Sequence, residues 1–164
     1  MCFSSCYDLH VSLQENNLAS AHFDGSIRIW SVRSGELIQE IKGAHDDQVS
    51  CVRFAPDERT LISTGKDNSI RLFDVRTFKE TQRFYHDLYK CSSATNRLCL
   101  STNSRYVVVG SLNGNVIIYD TQTQDIEEIY GHIHKTAVVA CEWQPRGNKF
   151  ATIDNLGSLF IWQP

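Results

Sequence analysis

The sequence predicts an all-β protein: about four blades of a β-propeller, forming part of a ring whose last blade lacks its outer strand. Three observations predict it. One motif recurs four times at near-constant spacing, the segments inside each repeat are short and rich in β-branched and aromatic residues, and turn signals part them roughly every 8 to 12 residues. "LASAHFDGSIRIW" (18–30) aligns without gaps over "LISTGKDNSIRLF" (61–73), "VVVGSLNGNVIIY" (107–119) and "FATIDNLGSLFIW" (150–162). The aromatics that close these stretches, Trp30, Phe73, Tyr119 and Trp162, stand 43, 46 and 43 residues apart.

The elements of each unit follow in order. A first alternating run, "YDLHVSL", "VSCVRFAP", "NRLCLST" or "VACEWQP", reads as an inner strand. The second and third strands form a hairpin, because Asp24-Gly25, Asp67-Asn68 and Asn113-Gly114 offer residues that accept positive φ at a tight turn. A trailing fourth strand comes next in "GELIQEI", "KETQRF" and "DIEEIY", whereas the chain ends soon after "SLFIW". No segment carries the sustained 3.6-residue period of a helix. The repeats divide at approximately 1–43, 44–86, 87–132 and 133–164. Rings of this kind close with about seven blades, so the sequence reads as the C-terminal part of a larger propeller, with the last outer strand expected from the region before Met1.

Composition narrows the function. With 41% hydrophobic and 21% charged residues among 164, the chain has a globular core, and its net charge of -3 lacks the basic excess of a nucleic-acid reader. No apolar run reaches the length of a membrane span and the N-terminus lacks the pattern of a secretory signal, so a cytoplasmic location is expected. Cys2, Cys6, Cys51, Cys91, Cys99 and Cys141 sit in strand patterns rather than at disulfide-framework spacing, and are expected to be reduced. His132, His134 and Cys141, or Cys2, Cys6 and His10, are the nearest approach to a metal-ligand set, but none has zinc-finger spacing, and no metal or cofactor is expected. There is no Gly-x-Ser-x-Gly, phosphate loop or His-Glu-x-x-His, and Asp8, Asp57, Asp125, Glu127 and Glu128 read as solvated turns and strand faces. An enzyme is not expected.

A four-stranded unit of about 43 residues with Trp near the end of its third strand is the signature of a WD40 blade. In such blades a His from the loop before the first strand, a Ser or Thr in the second, an Asp in the next turn and the third-strand Trp form a buried hydrogen-bond chain. The resemblance puts Ser20, Asp24 and Trp30 in this chain in unit 1, with the His position at Cys2. It puts His45, Ser63 and Asp67 there in unit 2, where Phe73 replaces Trp. In unit 4 it puts His134, Thr152 and Trp162, with Leu156 at the Asp position and Asp154 close by. Unit 3, with Cys91, Val109, Asn113 and Tyr119, has lost it. Arg28 and Arg71, at equivalent third-strand positions, are expected to be structural.

Beyond the repeat grammar, "SAHFDGSIRIWSVRSGELIQEI", "FAPDERTLISTGKDNSIRLFDVRT", "LYKCSSATNRLCLSTNSRYVVVGSLNGNVIIY" and the terminal "LFIW" resemble, in order, the last WD40 blades of the autophagy-related protein 16-like family. The resemblance implies a non-catalytic scaffold that helps recruit the modifier-lipidation machinery in autophagosome assembly. Its partners would be proteins: the conjugation machinery, through a region before Met1, and receptor motifs or ubiquitin-like proteins at the propeller rim. It implies no nucleic-acid partner, and membranes met only indirectly at autophagosomal precursors. The alternative is a WD40 interaction subunit of another complex, such as a ubiquitin-ligase adaptor, a G-protein-β-like subunit or an RNA-processing scaffold. Within the rim loops, Phe23, Gln48, Lys66 and Asn113 are the candidate partner-binding residues. An aromatic on a loop suits a hot spot, and Gln48 falls where animal members of the family carry a basic residue. Phe23 could equally pack against the neighbouring blade.

Overall fold

The computed structural model describes residues 4–12, 16–91 and 96–163. All regular structure among them is strand, arranged in four antiparallel sheets. The first comprises β1 (Cys6–Val11), β2 (Asn17–His22), β3 (Ile27–Ser31) and β4 (Leu37–Ile41) in sequence order. The second comprises β5 (Val49–Phe54), β6 (Thr60–Gly65), β7 (Ser69–Asp74) and β8 (Glu80–Tyr85), and the third β9 (Cys99–Leu100), β10 (Tyr106–Gly110), β11 (Val116–Asp120) and β12 (Ile126–Tyr130). The fourth has three strands, β13 (Val138–Trp143), β14 (Phe150–Asp154) and β15 (Leu159–Trp162). Each sheet is one blade of a partial β-propeller.

Alternation sends one side of each middle strand to the preceding blade and the other to the next. Leu61 and Phe73 join Ala19, Ala21, Ile27 and Ile29 in a core between blades 1 and 2, whereas Ile62, Ile70 and Leu72 join Val107, Val109 and Ile117 between blades 2 and 3. Val108, Val116 and Ile118 then meet Val138, Trp143 and Phe150 between blades 3 and 4. Both faces of β10 and β11 are therefore apolar, which is why these two strands read as near-continuous hydrophobic runs. Burying each such aliphatic side chain contributes about 2 kcal/mol before chain entropy is counted.

The hairpin turns also join blades. Gly25, Asn68, Gly114 and Gly157 occupy one repeat position and all have positive φ, from 59° to 82°. At Gly25 and Gly114 a Cβ would lie 2.6 Å and 2.3 Å from the carbonyl oxygens of His45 and His134, so the turn backbone rests directly on the loop entering the next blade. Asn68 makes the same link with its side chain, accepting the Cys91 N–H at 2.8 Å.

The inner strand of blade 3 is only two residues long, shorter than "NRLCLST" suggests. Its upstream neighbour Arg97 pairs instead with blade 4, donating its N–H to Val139 at 3.0 Å and accepting that of Cys141 at 3.1 Å. Cys51, Cys91, Cys99 and Cys141 are buried free thiols and Cys6 is an exposed one, while Cys2 lies outside the described residues. Burial pushes the Cys51 thiol up to about 12 and raises those of Cys99 and Cys141 well above the usual range, so these are packing groups rather than nucleophiles.

Candidate functional site: a loop rim on buried hydrogen-bond networks

Strand direction alternates, so the turns joining second to third strands share one edge of the molecule with the loops that enter each blade. Buried polar chains hold that edge. In blade 4 the Trp162 indole N–H donates to Thr152 Oγ1 at 2.8 Å, and the Thr152 hydroxyl meets His134 Nε2 at 2.7 Å. His134 Nδ1 meets Asp154 Oδ2 at 3.0 Å, with both side chains fully buried. Asp154 Oδ1 accepts the N–H groups of Leu156 and Ser158. Asp154, at the end of β14, therefore fills the acidic role, and Leu156 is 70% exposed.

Blade 2 has His45 Nε2 2.7 Å from Ser63 Oγ and His45 Nδ1 3.0 Å from Asp67. Phe73 has no side-chain N–H to extend the chain and packs in the core. Burial lowers the His45 pKa, outweighing the pull of Asp67. For Asp67, burial works upward, but hydrogen bonds from His45, Asp46 and Ser69 prevail and hold the carboxyl far below its usual range. Gly65 makes room for this arrangement, since a Cβ there would lie 2.4 Å from His45 Nδ1.

Blade 1 differs from the expected layout. Cys2 lies outside the described residues, and the imidazole comes from β2 itself: His22 Nε2 is 2.8 Å from Ser20 Oγ, which also accepts the Trp30 N–H at 2.7 Å. Asp24 takes the Ser26 hydroxyl at 2.5 Å and Arg28 at 2.7 Å. Burial raises its carboxyl, and the Ser26 and Arg28 hydrogen bonds override this to leave it at about 2. Arg28 also reaches Glu40 on the outer strand at 2.8 Å. Arg71, only 3% exposed, likewise ties Asp67 and Asp46, each at 2.8 Å, to Glu80 at 3.5 Å. In blade 3 the Ser111 hydroxyl donates to the Leu88 carbonyl at 2.9 Å and accepts the Lys90 N–H at 2.8 Å.

On this frame the rim residues are set by backbone bonds. Phe23 donates its N–H to Ser5 at 2.9 Å, and its ring leans on Tyr7 of its own blade at 6.3 Å. It remains 60% exposed rather than packing into a neighbouring blade. Gln48 and Lys66 are brought together, since Lys66 donates its N–H to the Gln48 carbonyl at 2.9 Å, and both are half-buried. Asn113 is exposed on the blade 3 turn, away from that pair, beside Leu112, whose N–H donates to Lys90 at 2.8 Å. Among the described residues no group of three or more His, Cys, Asp and Glu stands where it could hold a metal ion.

A family model described as "WD domain, G-beta repeat" matches residues 2–31 and 35–74, which reach from blade 1 to the third strand of blade 2. The chain carries WD40 repeats in a partial β-propeller. A second model, described as "Eukaryotic translation initiation factor eIF2A", matches residues 60–158, so blades 2 to 4 share that family's sequence pattern as well. Protein tipD of Dictyostelium discoideum is 27% identical, with the match covering 99% of this chain and 27% of tipD. Autophagy-related protein 16 of Arabidopsis thaliana is 26% identical over 97% of this chain and 31% of its own length, and Protein Atg16l2 of Mus musculus is 31% identical over 97% and 25%. These WD40 blades are thus similar, along nearly their whole length, to those of autophagy-related protein 16-like proteins. The chain spans about a quarter to a third of the length of the relatives it matches.

His22 is the network residue that motif reading passed over, and Asp154, named only as lying close to the Asp position, takes the acidic role. They share one repeat position with Gly65 and Ser111, and reading down that column for a polar residue two places after the Ser or Thr was the signal that could have found them.

Proposed function

We propose that this WD40 chain acts as a non-catalytic docking platform within a scaffold of autophagosome assembly, presenting the rim around Phe23, Gln48, Lys66 and Asn113 to protein partners. The observation that carries this is an aromatic side chain 60% exposed on a turn whose every neighbour is fixed, in blades similar along nearly their whole length to autophagy-related protein 16. A rigid, exposed aromatic buries much area on binding at little entropic cost. The four-repeat division given above accounts for the spacing of these rim loops. Among the described residues the blade networks support this reading: the carboxylates of Asp67 and Asp154 are saturated with donors, and the Cys51, Cys99 and Cys141 thiols are buried and protonated. The place of action under this reading is the cytoplasm, at precursor membranes reached through partners; among the described residues no helix is long and apolar enough to cross a membrane.

The eIF2A-type match over 60–158 favours a second reading, an interaction subunit of another complex such as an RNA-associated scaffold. Calorimetry of the full-length protein with the ubiquitin-like conjugate of the autophagy lipidation machinery separates the two. Saturable association is expected. If the conjugate does not bind while the propeller retains its cooperative melting transition, the second reading takes over.

A further inference from the structure

The edge opposite the rim carries the turns between first and second strands, and between blades 3 and 4 these open a cleft of about 310 Å³. Tyr106, Ile118 and Trp143 form its walls, and Glu127 and Glu128 of β12 line it from the outer strand. The walls are held in place. Trp143 donates its indole N–H to the Gly147 carbonyl at 3.3 Å and stacks on Phe150 at 5.3 Å, while Tyr130 donates its hydroxyl to Glu128 at 2.5 Å. No basic residue lines the cleft. Arg105 sits 5.0 Å from the Tyr106 ring centroid with its charge paired to Asp120 at 2.7 Å, so the Tyr106 ring already serves a guanidinium inside the molecule. Exposed Arg146 and Lys149 flank Gly147 and Asn148 in the β13–β14 turn, which leaves the β12 side as the approach for a cation.

We propose that this cleft receives an arginine side chain from an extended segment of a partner protein. The guanidinium stacks against Tyr106 beside the small exposed edge of Trp143, and Glu127 and Glu128 carry its countercharge. A volume near the lower limit of ligand pockets, roughly 300 Å³, suits one long side chain rather than a folded surface. A planar guanidinium offers both the stacking face and the hydrogen-bond donors, which an ammonium does not. This site stands apart from the Phe23 rim and does not depend on it.

The test is a titration of the full 164-residue chain with the capped peptide Gly-Arg-Arg-Gly, read at the ¹⁵N-labelled Trp143 indole, with capped Gly-Gln-Gln-Gly as the control. A saturable shift with the arginine peptide alone is expected, weakened about tenfold in the Glu127→Gln, Glu128→Gln double variant and unchanged by Phe23→Ala. An equal response to the glutamine peptide, a shift that survives the double substitution, or no saturable shift would each overturn the proposal. Both glutamates are exposed, and unchanged amide signals elsewhere in the double variant show that its fold is intact.

Discussion

His22, Gly65, Ser111 and Asp154 occupy one position of the repeat and solve the same local problem in four ways: an imidazole, an absent side chain, a hydroxyl and a carboxylate. Each choice is dictated by where the other members of its chain come from. Where Asp67 approaches from the turn, Gly65 must leave room for His45. Where the turn offers Leu156, the strand supplies Asp154. Replacing Asp154 with Ala strips the acceptor from the His134 ring and from the N–H groups of Leu156 and Ser158. Chemical denaturation should show a loss of about 3 kcal/mol. Leu156→Asp, the change that would rebuild the expected motif, should shift stability by no more than about 0.5 kcal/mol, because the site is exposed and the His already has its partner. Motif spacing alone led to Leu156, since alignment counts positions and a hydrogen bond depends on which atoms can reach. The Ser63, Thr152 and Trp162 roles were legible because strand alternation fixes which face each side chain takes.

Among the elements, β1 and β5 make a polar joint between blades 1 and 2. Asp8 Oδ2 accepts the Val52 N–H at 3.1 Å and pairs with Arg53 at 2.5 Å, and His10 Nδ1 accepts the Phe54 N–H at 3.0 Å. That last bond requires a neutral imidazole. Burial, then Arg53, lowers the His10 pKa against the opposing pull of Asp8 and Glu58, and burial likewise lowers His22 and His45. The unfolded chain leaves these rings at 6.5, so as pH falls below that value the unfolded state binds protons first. The stability the three neutral rings contribute is present above 6.5 and is lost as pH drops toward their folded values. Thermal melts from pH 7.5 to 5 should therefore show a falling melting temperature, with a shallower slope in His10→Gln. The strands and tight turns were legible from their period and from Asp-Gly, Asp-Asn and Asn-Gly. The side-chain clasp from β1 to β5 was not, because residues 44 apart in sequence meet only after the blades pack.

For the whole molecule, the three inter-blade cores make a rigid frame, and the loops at its two edges are the surfaces that the proposed function gives to partners. Repeat spacing disclosed this architecture because each blade must present the same two apolar faces to its neighbours. Spacing could not disclose which rim residue stays exposed: Phe23 and Lys66 occupy the same repeat position, yet one projects and the other is half-buried. Under the proposed function, the Phe23 rim holds the partner that positions the scaffold. That role is tested most directly by restoring the full-length protein, with and without Phe23→Ala, to cells that lack their own copy and measuring modifier lipidation triggered through a membrane-bound receptor. The unaltered protein should restore it. The Phe23→Ala protein, at equal abundance and melting temperature, should lose most of it, consistent with a hot spot worth about 2 kcal/mol; equal restoration by both proteins would contradict the account.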